Sequence, residues 1–207
     1  MRYNRRVVIV PKQTATSRSF TTNFSQNMHI TWHGLSCVKL QTHGRSEDAQ
    51  LLINPYQDST GLQMPKLKVD IAAVTDPTND WCNNTDRLQG EPFLITHPGE
   101  YEVKEIFIYG VPDINNRVLY VIEAEGIKLG HLNTELKELT AEQLKLIEGV
   151  DVLFLPLTTE NPKLYASVVS QVEPRIVIPI LYHTPKVKAK LNTLDGFLKE
   201  FGAKNVQ

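Results

Sequence analysis

The chain has 207 residues, enough for one domain with a sizeable core. Hydrophobic residues make up 41% and charged residues 22%, with a formal net charge of -1, which gives no reason to expect a nucleic acid as partner. No apolar run approaches the roughly 18 residues of a membrane span, so no membrane association is expected. Two cysteines, Cys37 and Cys82, are too few for a disulfide framework, which predicts a reducing compartment, the cytoplasm.

The first 27 residues differ in composition from the rest. They lack acidic residues, are rich in Ser and Thr, and carry five basic residues, Arg2, Arg5, Arg6, Lys12 and Arg18. Such a start is compatible with an organelle transit peptide, but it has no clear amphipathic period. We therefore expect residues 1–27 to be a flexible extension, or the product of a start codon placed too early with Met28 as the first residue, and residues 28–207 to form one domain.

From Met28 onward, apolar periodicity predicts mostly strands. Two of the predicted strands are almost entirely apolar, as expected where both faces of a sheet are covered. The predicted strands are His29–His33, Cys37–Gln41, Gln50–Ile53, Asp70–Thr75, Phe93–Thr96, Ile106–Tyr109, Val118–Ala124, Ile127–Leu132, Asp151–Leu155 and Arg175–Ile180.

Three helices are predicted in the second half of the chain. Residues 140–147 start with a capping box, Thr140 and Gln143. Asn161-Pro162 supplies an N-cap and a first-turn proline for a helix to about residue 171. A last helix over residues 194–201 ends at Gly202. Strands first and β-α alternation later predict sheets sandwiched between helical layers.

Five separated segments resemble, in the same order, the metallo-β-lactamase fold and its compact branch of Zn-dependent hydrolases. The resemblance covers about residues 28–202 and implies an α/β (α+β) fold, a four-layer αββα sandwich with mixed sheets. Leu35 stands where the family usually has histidine, and Asn54 where it has an acid. The segments are Ile30–Cys37, Ile53-Asn54-Pro55-Tyr56, Pro98-Gly99-Glu100-Tyr101-Glu102, His131-Leu132 and Ile178-Pro179-Ile180-Leu181-Tyr182.

The resemblance implies a metal site whose ligands are missing from this chain. The family loop His-x-His-x-Asp-His holds two metal ions, and the corresponding loop here runs from residue 76 to residue 81. Of its acid and three histidines only the acid remains, and three further ligand places, two of histidine and one of the bridging aspartate, are also changed. The residues of this vestigial pocket are Asp76, Thr78, Asp80, Trp81, Asn115, Thr134 and Leu181.

The ligand requirements of Zn²⁺ show why these replacements matter. A catalytic Zn²⁺ needs about three ligands from His, Cys or carboxylate, and lowers the pKa of its bound water to about 7. Leu181 cannot ligate a metal and Trp81 offers only an N–H donor. We expect no metal and no catalytic residue here, with weak Zn²⁺ or Mg²⁺ binding at Asp76 and Asp80 left as an alternative. The simpler interpretation is an open, solvated loop in which both acids cap turns or the N-terminus of the following helix, and Trp81 fills the vacated space.

Three other residues are candidates for polar contacts near the pocket. His131 lies at a strand end and fits a core or supporting role better than a general base. His183 could pair with Cys82 or Asp80 as a nucleophile–base set, although the local sequence matches no known nucleophile motif. Cys82 could be mildly reactive, whereas Cys37 on an early strand is expected in the core.

Three functions follow as hypotheses. The first is a non-catalytic binding or structural module that forms a homo-oligomer or binds an active paralogue. The second is a metal-dependent hydrolase of the lactone or phosphodiester type with a relocated site built from Asp76, Asp80, His131 and His183. The third is a sensor that binds a small ligand in the emptied cleft. The fold alone does not decide among them, because function belongs to the site.

Overall fold

The structure, a computed structural model, describes residues 7–8, 20–24, 28–44 and 47–202. The helices are α1 (Ala141–Ile147), α2 (Pro162–Val172) and α3 (Leu194–Glu200), and two 3-10 helices span Asp58–Thr60 and Thr85–Arg87. The strands are β1 (Val7–Val8), β2 (Phe20–Phe24), β3 (Met28–Gly34), β4 (Cys37–His43), β5 (Asp48–Ile53), β6 (Leu67–Lys68), β7 (Ile71–Ala73), β8 (Leu88–Gln89), β9 (Phe93–Ile95), β10 (Gly99–Val103), β11 (Ile106–Pro112), β12 (Val118–Ala124), β13 (Ile127–His131), β14 (Val152–Pro156) and β15 (Ile176–Ile180).

The strands of the described residues form two large mixed sheets and one short pair. The larger sheet has the order β1-β15-β14-β13-β12-β11-β10, and the smaller sheet has the order β2-β3-β4-β5-β7-β9. Strands β10 to β13 are antiparallel neighbours, whereas β13, β14 and β15 run parallel. Every residue of β14 is buried, as its unbroken apolar sequence predicts for a parallel strand covered on both faces.

The two large sheets enclose the main hydrophobic core. Ile30 and Leu40 of the smaller sheet belong to the same buried cluster as Ile108 and Tyr120 of the larger one. Tyr120 also donates its hydroxyl to the carbonyl of Val74 across the core, at 3.1 Å. The sheets are therefore joined by both apolar packing and a buried hydrogen bond.

Outer layers cover both sheets. Helix α1 contacts β11 and β12 of the larger sheet, and α2 packs on α3 through the rings of Tyr165 and Phe197, whose centres are 6.0 Å apart. Over the smaller sheet, Leu52 packs in a second apolar cluster with Leu67 of β6 and Leu88 of β8. In the part of the chain that the structure describes, this second cover consists of the β6–β8 pair and loops.

The local sequence signals for helices are confirmed. Thr140 accepts from the backbone N–H of Gln143 while the Gln143 side chain accepts from Thr140, a complete capping box. Asn161 caps α2, with Pro162 in its first turn. The predicted strand Asp70–Thr75 is shorter than expected, since β7 covers three residues. Strand β10 was not predicted.

The N-terminal segment contributes two short edge strands. Strand β1 pairs in parallel with β15, and β2 pairs antiparallel with β3. The other residues of 1–27 lie outside the described part, so the prediction of a flexible or mis-started extension stays a prediction. No helix among the described residues is long and apolar enough to cross a bilayer.

Candidate functional site

The loop that follows β7 runs from residue 76 to residue 84 and is fastened at its middle and at its end. The N–H of Gln57 donates to the carbonyl of Asp80, and the N–H of Asn84 donates to that of Pro55, both at 2.8 Å. The predicted open, solvated loop is therefore only partly right, because Pro77 and Thr78 are exposed but Asp80 and Asn84 are tied to the loop after β5. This tie joins segments about 25 residues apart, and nothing local in the sequence signals it.

The two acids of this loop bind separate partners. Asp76 accepts from the backbone N–H of Thr78 at 3.0 Å and from the Thr78 hydroxyl at 2.7 Å, which confirms that it caps a turn. Asp80 instead accepts from the hydroxyl of Ser59 at 2.7 Å, on the neighbouring loop. Each carboxylate thus accepts from a donor of its own.

An apolar group, here called the Leu181 cluster, occupies the end of the smaller sheet. Leu181 and Leu35, at places where the resemblance predicts histidine, are both fully buried in it. Trp81 packs against the same cluster from loop 76–84. The buried members are Leu35, Cys37, Leu52, Tyr56, Met64, Val69, Leu181 and Val187. Hydrocarbon therefore surrounds the Leu181 side chain, and this environment disfavours an ion.

Beside it lies a chain of buried polar groups, here called the His131 network. His131 donates its Nε2–H to the carbonyl of Ser36 at 2.9 Å. The Ser36 hydroxyl accepts from the amide of Asn54 at 3.2 Å, and Asn54 Oδ1 accepts from the backbone N–H of Thr75 at 2.9 Å. Burial lowers the pKa of His131 to about 4. A fully buried, neutral imidazole holding a backbone carbonyl is a structural element, and the general-base interpretation is not supported.

Cys82 is not placed as a nucleophile. Its thiol donates to the carbonyl of Asp76 at 3.1 Å and to that of Asn79 at 3.5 Å. Burial raises the pKa of the Cys82 thiol to about 12, so the thiolate population at neutral pH is very small. The expectation of a mildly reactive cysteine is therefore corrected, whereas the core position expected for Cys37 is confirmed.

Cys82 should accordingly resist alkylation in the folded protein. We expect iodoacetamide at pH 8 to leave Cys82 and the equally buried Cys37 unmodified on a timescale that labels both in guanidinium chloride. Mass spectrometry of peptides from native and denatured samples measures this difference. Rapid labelling of Cys82 in the native sample, with Cys37 still protected, would restore the reactive-thiol interpretation.

The remaining predicted positions differ in exposure. Thr134 is buried, and its hydroxyl accepts from the amide of Asn79 on loop 76–84 at 3.5 Å. Asn115 is exposed, and its backbone N–H donates to Asp113 at 2.8 Å. His183 is also exposed, with its backbone N–H bound to the carbonyl of Asn192 at 2.7 Å. The structure thus joins Thr134 to loop 76–84 through this hydrogen bond. The thiol of Cys82, on the same loop, is bound by backbone carbonyls.

An ion-pair group next to Thr134 was missed by the sequence analysis. Arg117 pairs with Asp113 at 2.7 Å and also with Glu135, and Asn133 donates to Asp113 at 3.2 Å. Burial acts to raise the pKa of Asp113, but hydrogen bonds from Arg117 bring that pKa below its usual value. The group borders a cavity of about 100 Å³. The spacing of Asp113 and Arg117 by four residues was the available signal.

The side chains at the family's ligand places do not fit a dinuclear metal centre. Within residues 28–44 and 47–202, no three His, Cys, Asp or Glu side chains are grouped so as to hold a metal ion. Leu181 and Trp81 offer no lone pair to a metal, and Asp76 and Asp80 bind different hydroxyl groups.

Comparison with known proteins identifies the family. The Beta-lactamase superfamily domain matches residues 29–181. The chain belongs to the metallo-β-lactamase superfamily. A UPF0173 metal-dependent hydrolase from Lysinibacillus sphaericus (strain C3-41) is 27% identical to this superfamily member over 208 residues, covering 76% of this chain and 86% of the relative.

Solved structures agree with this assignment. A proposed Zn-dependent hydrolase of the metallo-β-lactamase superfamily from Thermotoga maritima superposes with a TM-score of 0.70 and 28% identity, covering 85% of this chain and 87% of its own. The metallo-β-lactamase fold protein YhfI from Bacillus subtilis reaches a TM-score of 0.57 at 10% identity, with 82% and 84% covered, which shows the fold alone. The predicted fold of this superfamily member is thereby confirmed.

Proposed function

We propose that this member of the metallo-β-lactamase superfamily is a non-catalytic binding or structural module. The observation that carries the proposal is Leu181, which stands at the place of the final histidine ligand and is completely buried in an apolar cluster with Leu35. Hydrolysis by this fold requires hydroxide generated on a metal at neutral pH. A leucine in hydrocarbon surroundings can neither ligate that metal nor tolerate its charge nearby.

Metal-free catalysis by the neighbouring groups is also disfavoured. The imidazole of His131 is fully buried with a lowered pKa, and the thiol of Cys82 is buried with a raised pKa. Neither can exchange a proton readily with a substrate near pH 7. The relocated site built from Asp76, Asp80, His131 and His183 would combine two carboxylates that accept from separate hydroxyl groups with an imidazole that is fully buried.

We propose a protein partner, either a second copy of this chain or an active paralogue. Phe93 and Leu94 on the edge strand β9 support this choice, since they are 48% and 50% exposed. Large apolar side chains on an open sheet edge are typical of surfaces that pair with another chain. Light scattering over a concentration series tests self-association, and a monomer at every concentration would favour the paralogue.

Elemental analysis of protein purified without chelators tests the loss of the metal site. We expect no metal at the family site, both in the wild type and in the double variant Asp76→Asn/Asp80→Asn. We also expect neither protein to show chelator-sensitive lactonase or phosphodiesterase activity. About one Zn²⁺ or Mg²⁺ per chain that is lost in the double variant, together with such activity, would support the relocated hydrolase instead. A thermal shift with a small metabolite and no metal would favour the sensor.

A further inference from the structure

Two histidines and an aspartate lie side by side on the outer face of the smaller sheet, away from the Leu181 cluster. His29 is on β3, His43 on β4 and Asp48 on β5. The ring centres of His29 and His43 are 6.3 Å apart with their planes at 76°. Nδ1 of His43 lies 2.8 Å from a carboxylate oxygen of Asp48. We propose that His29 and His43 bind a divalent transition-metal ion such as Zn²⁺, with Asp48 as a positioning residue.

Strand register brings these three residues together. His29 lies opposite Gln41 in the β3–β4 pair, and His43 shares the face of Gln41 because side chains alternate along a strand. His43 lies directly opposite Asp48 in the β4–β5 pair. The side chains of His43 and Asp48 are 36% and 65% exposed, so an ion can reach them from solvent.

The separation of the two rings is close to that of a metal-bound pair. With Zn–N bonds of about 2.0–2.1 Å, each ring centre lies about 3.2 Å from the metal, and a tetrahedral angle then places the two centres roughly 5.2 Å apart. The observed 6.3 Å is larger by about 1 Å. A small rotation of two half-exposed side chains covers that difference, since neither ring is locked in the core.

Neighbouring carboxylates favour a cation at this position. Asp48 accepts a hydrogen bond from Nδ1 of His43, which leaves Nε2 as the nitrogen that can ligate a metal, the arrangement by which carboxylates commonly orient metal-binding histidines. A second carboxylate, from Glu125, accepts from the backbone N–H of His43 at 2.7 Å. Imidazole ligands suit Zn²⁺, Cu²⁺ and Ni²⁺, whereas Mg²⁺ prefers oxygen.

The site has two protein ligands and takes its others from water. This composition agrees with the finding that the described residues contain no ready group of three metal-binding side chains. It also means that binding will be weaker than at a four-ligand structural zinc site, and that folding will not depend on the ion.

Zinc titration of the full chain tests the proposal. By calorimetry we expect one Zn²⁺ per chain in the wild type, an affinity at least about 10-fold lower in His29→Gln and in His43→Gln, and no binding of Mg²⁺. His97→Gln is the matched control, because His97 is an exposed histidine between β9 and β10, outside strands β3 and β4, and its replacement should leave the affinity unchanged. Equal affinity in the wild type and both site variants would overturn the proposal, as would a loss in His97→Gln of the same size.

A separate variant tests the role of Asp48 as a positioning residue. We expect Asp48→Asn to lower the zinc affinity by about 10-fold to 100-fold, the usual effect of removing such a partner. Nitrogen-15 spectra of the histidine rings should also show that His43 loses its preference for the Nδ1–H tautomer. An unchanged tautomer with unchanged affinity would remove Asp48 from the site.

Elemental analysis of His29→Gln/His43→Gln separates this proposal from the proposed function. Metal that disappears in this variant belongs to the outer face of the sheet and supports the zinc site. Metal that stays in this variant but disappears in Asp76→Asn/Asp80→Asn contradicts both the zinc assignment and the loss of the family site. The melting temperature of each variant without zinc verifies that the variants fold.

Discussion

Replacing Leu181 with histidine is expected to lower the free energy of unfolding by about 3 kcal/mol and to confer no zinc binding. The substitution restores the residue type that the family uses at this place, but the side chain lies in an apolar cluster and is 0% exposed. The loss combines the apolar contacts of a buried leucine with the desolvation of an imidazole that has no polar partner there. Urea denaturation monitored by tryptophan fluorescence measures the change.

Thr78→His is the matched control for this prediction. It also restores a histidine at a family ligand place, but Thr78 is exposed and gives up only a hydrogen bond to Asp76. The free energy of unfolding should therefore change by less than about 1 kcal/mol. A Leu181→His variant that keeps wild-type stability and binds Zn²⁺ would show that the space beside Leu181 still accepts an ion, and would contradict the proposed function.

The sequence predicts well those features that depend on neighbouring residues. The capping box of Thr140 and Gln143 requires two side chains three residues apart, so its signal lies within one turn of helix. Asn161 and Pro162 mark the start of α2 in the same way. The all-apolar sequence of β14 predicts a strand covered on both faces, and the structure has it buried throughout.

Features that depend on distant residues could not be predicted. Strand β10 alternates glutamates with half-buried residues, a weak pattern, and it is defined by its pairing with β11. The apolar environment of Leu181 is built from residues such as Leu35 and Tyr56, which are more than 120 positions away in the chain. The resemblance predicts a missing ligand at residue 181, whereas the apolar surroundings of that side chain are seen only in the packing.

The pairing of His29 with His43 depends on register in the same way. Fourteen positions separate the two residues, and a shift of one residue between β3 and β4 would place one imidazole on the opposite face of the sheet. The family's ligand places lie in other parts of the chain, so the resemblance gave no indication of this face. Cross-strand pairs of histidines become visible once the strand pairing is known.

Acidification from pH 6.5 to pH 4 is expected to lower the free energy of unfolding by about 3 kcal/mol through the shifted pKa of His131 alone. Burial lowers the pKa of His131 from its ordinary 6.5 to about 4 in the folded protein. Between these two values the unfolded chain binds a proton that the folded chain does not, so the free energy of unfolding falls as the pH falls. Above pH 6.5 the neutral His131 makes its full contribution to the free energy of unfolding, and below about pH 4 that contribution is lost.

Two other sets of groups must be separated from this effect. Burial, with a smaller contribution from Lys39, also lowers the pKa of His33 to about 4, so His33 adds a loss in the same pH range. Asp70 and Asp113 have pKa values below their ordinary 3.8, so the stability that they contribute is lost only at still lower pH. The hydrogen bond from Arg117 lowers the pKa of Glu135 below its ordinary 4.5, so its contribution begins to fall only near the acidic end of the range from pH 6.5 to pH 4. Most of that range therefore reports on the two histidines.

His131→Gln isolates the contribution of His131, because glutamine can still donate to the carbonyl of Ser36 but does not titrate. We expect the stability of this variant at pH 7 to be somewhat lower, and its loss between pH 6.5 and pH 4 to be smaller than that of the wild type by about 3 kcal/mol. His97→Gln, which changes an exposed imidazole, should follow the wild-type curve. Parallel curves for His131→Gln and the wild type would mean that the imidazole is hydrated in solution, and would reopen the possibility that it serves as a base. A loss in His131→Gln that is smaller by about 3 kcal/mol than that of the wild type and His97→Gln, with the contribution of His33 retained, would instead show that His131 is kept neutral beside Ser36.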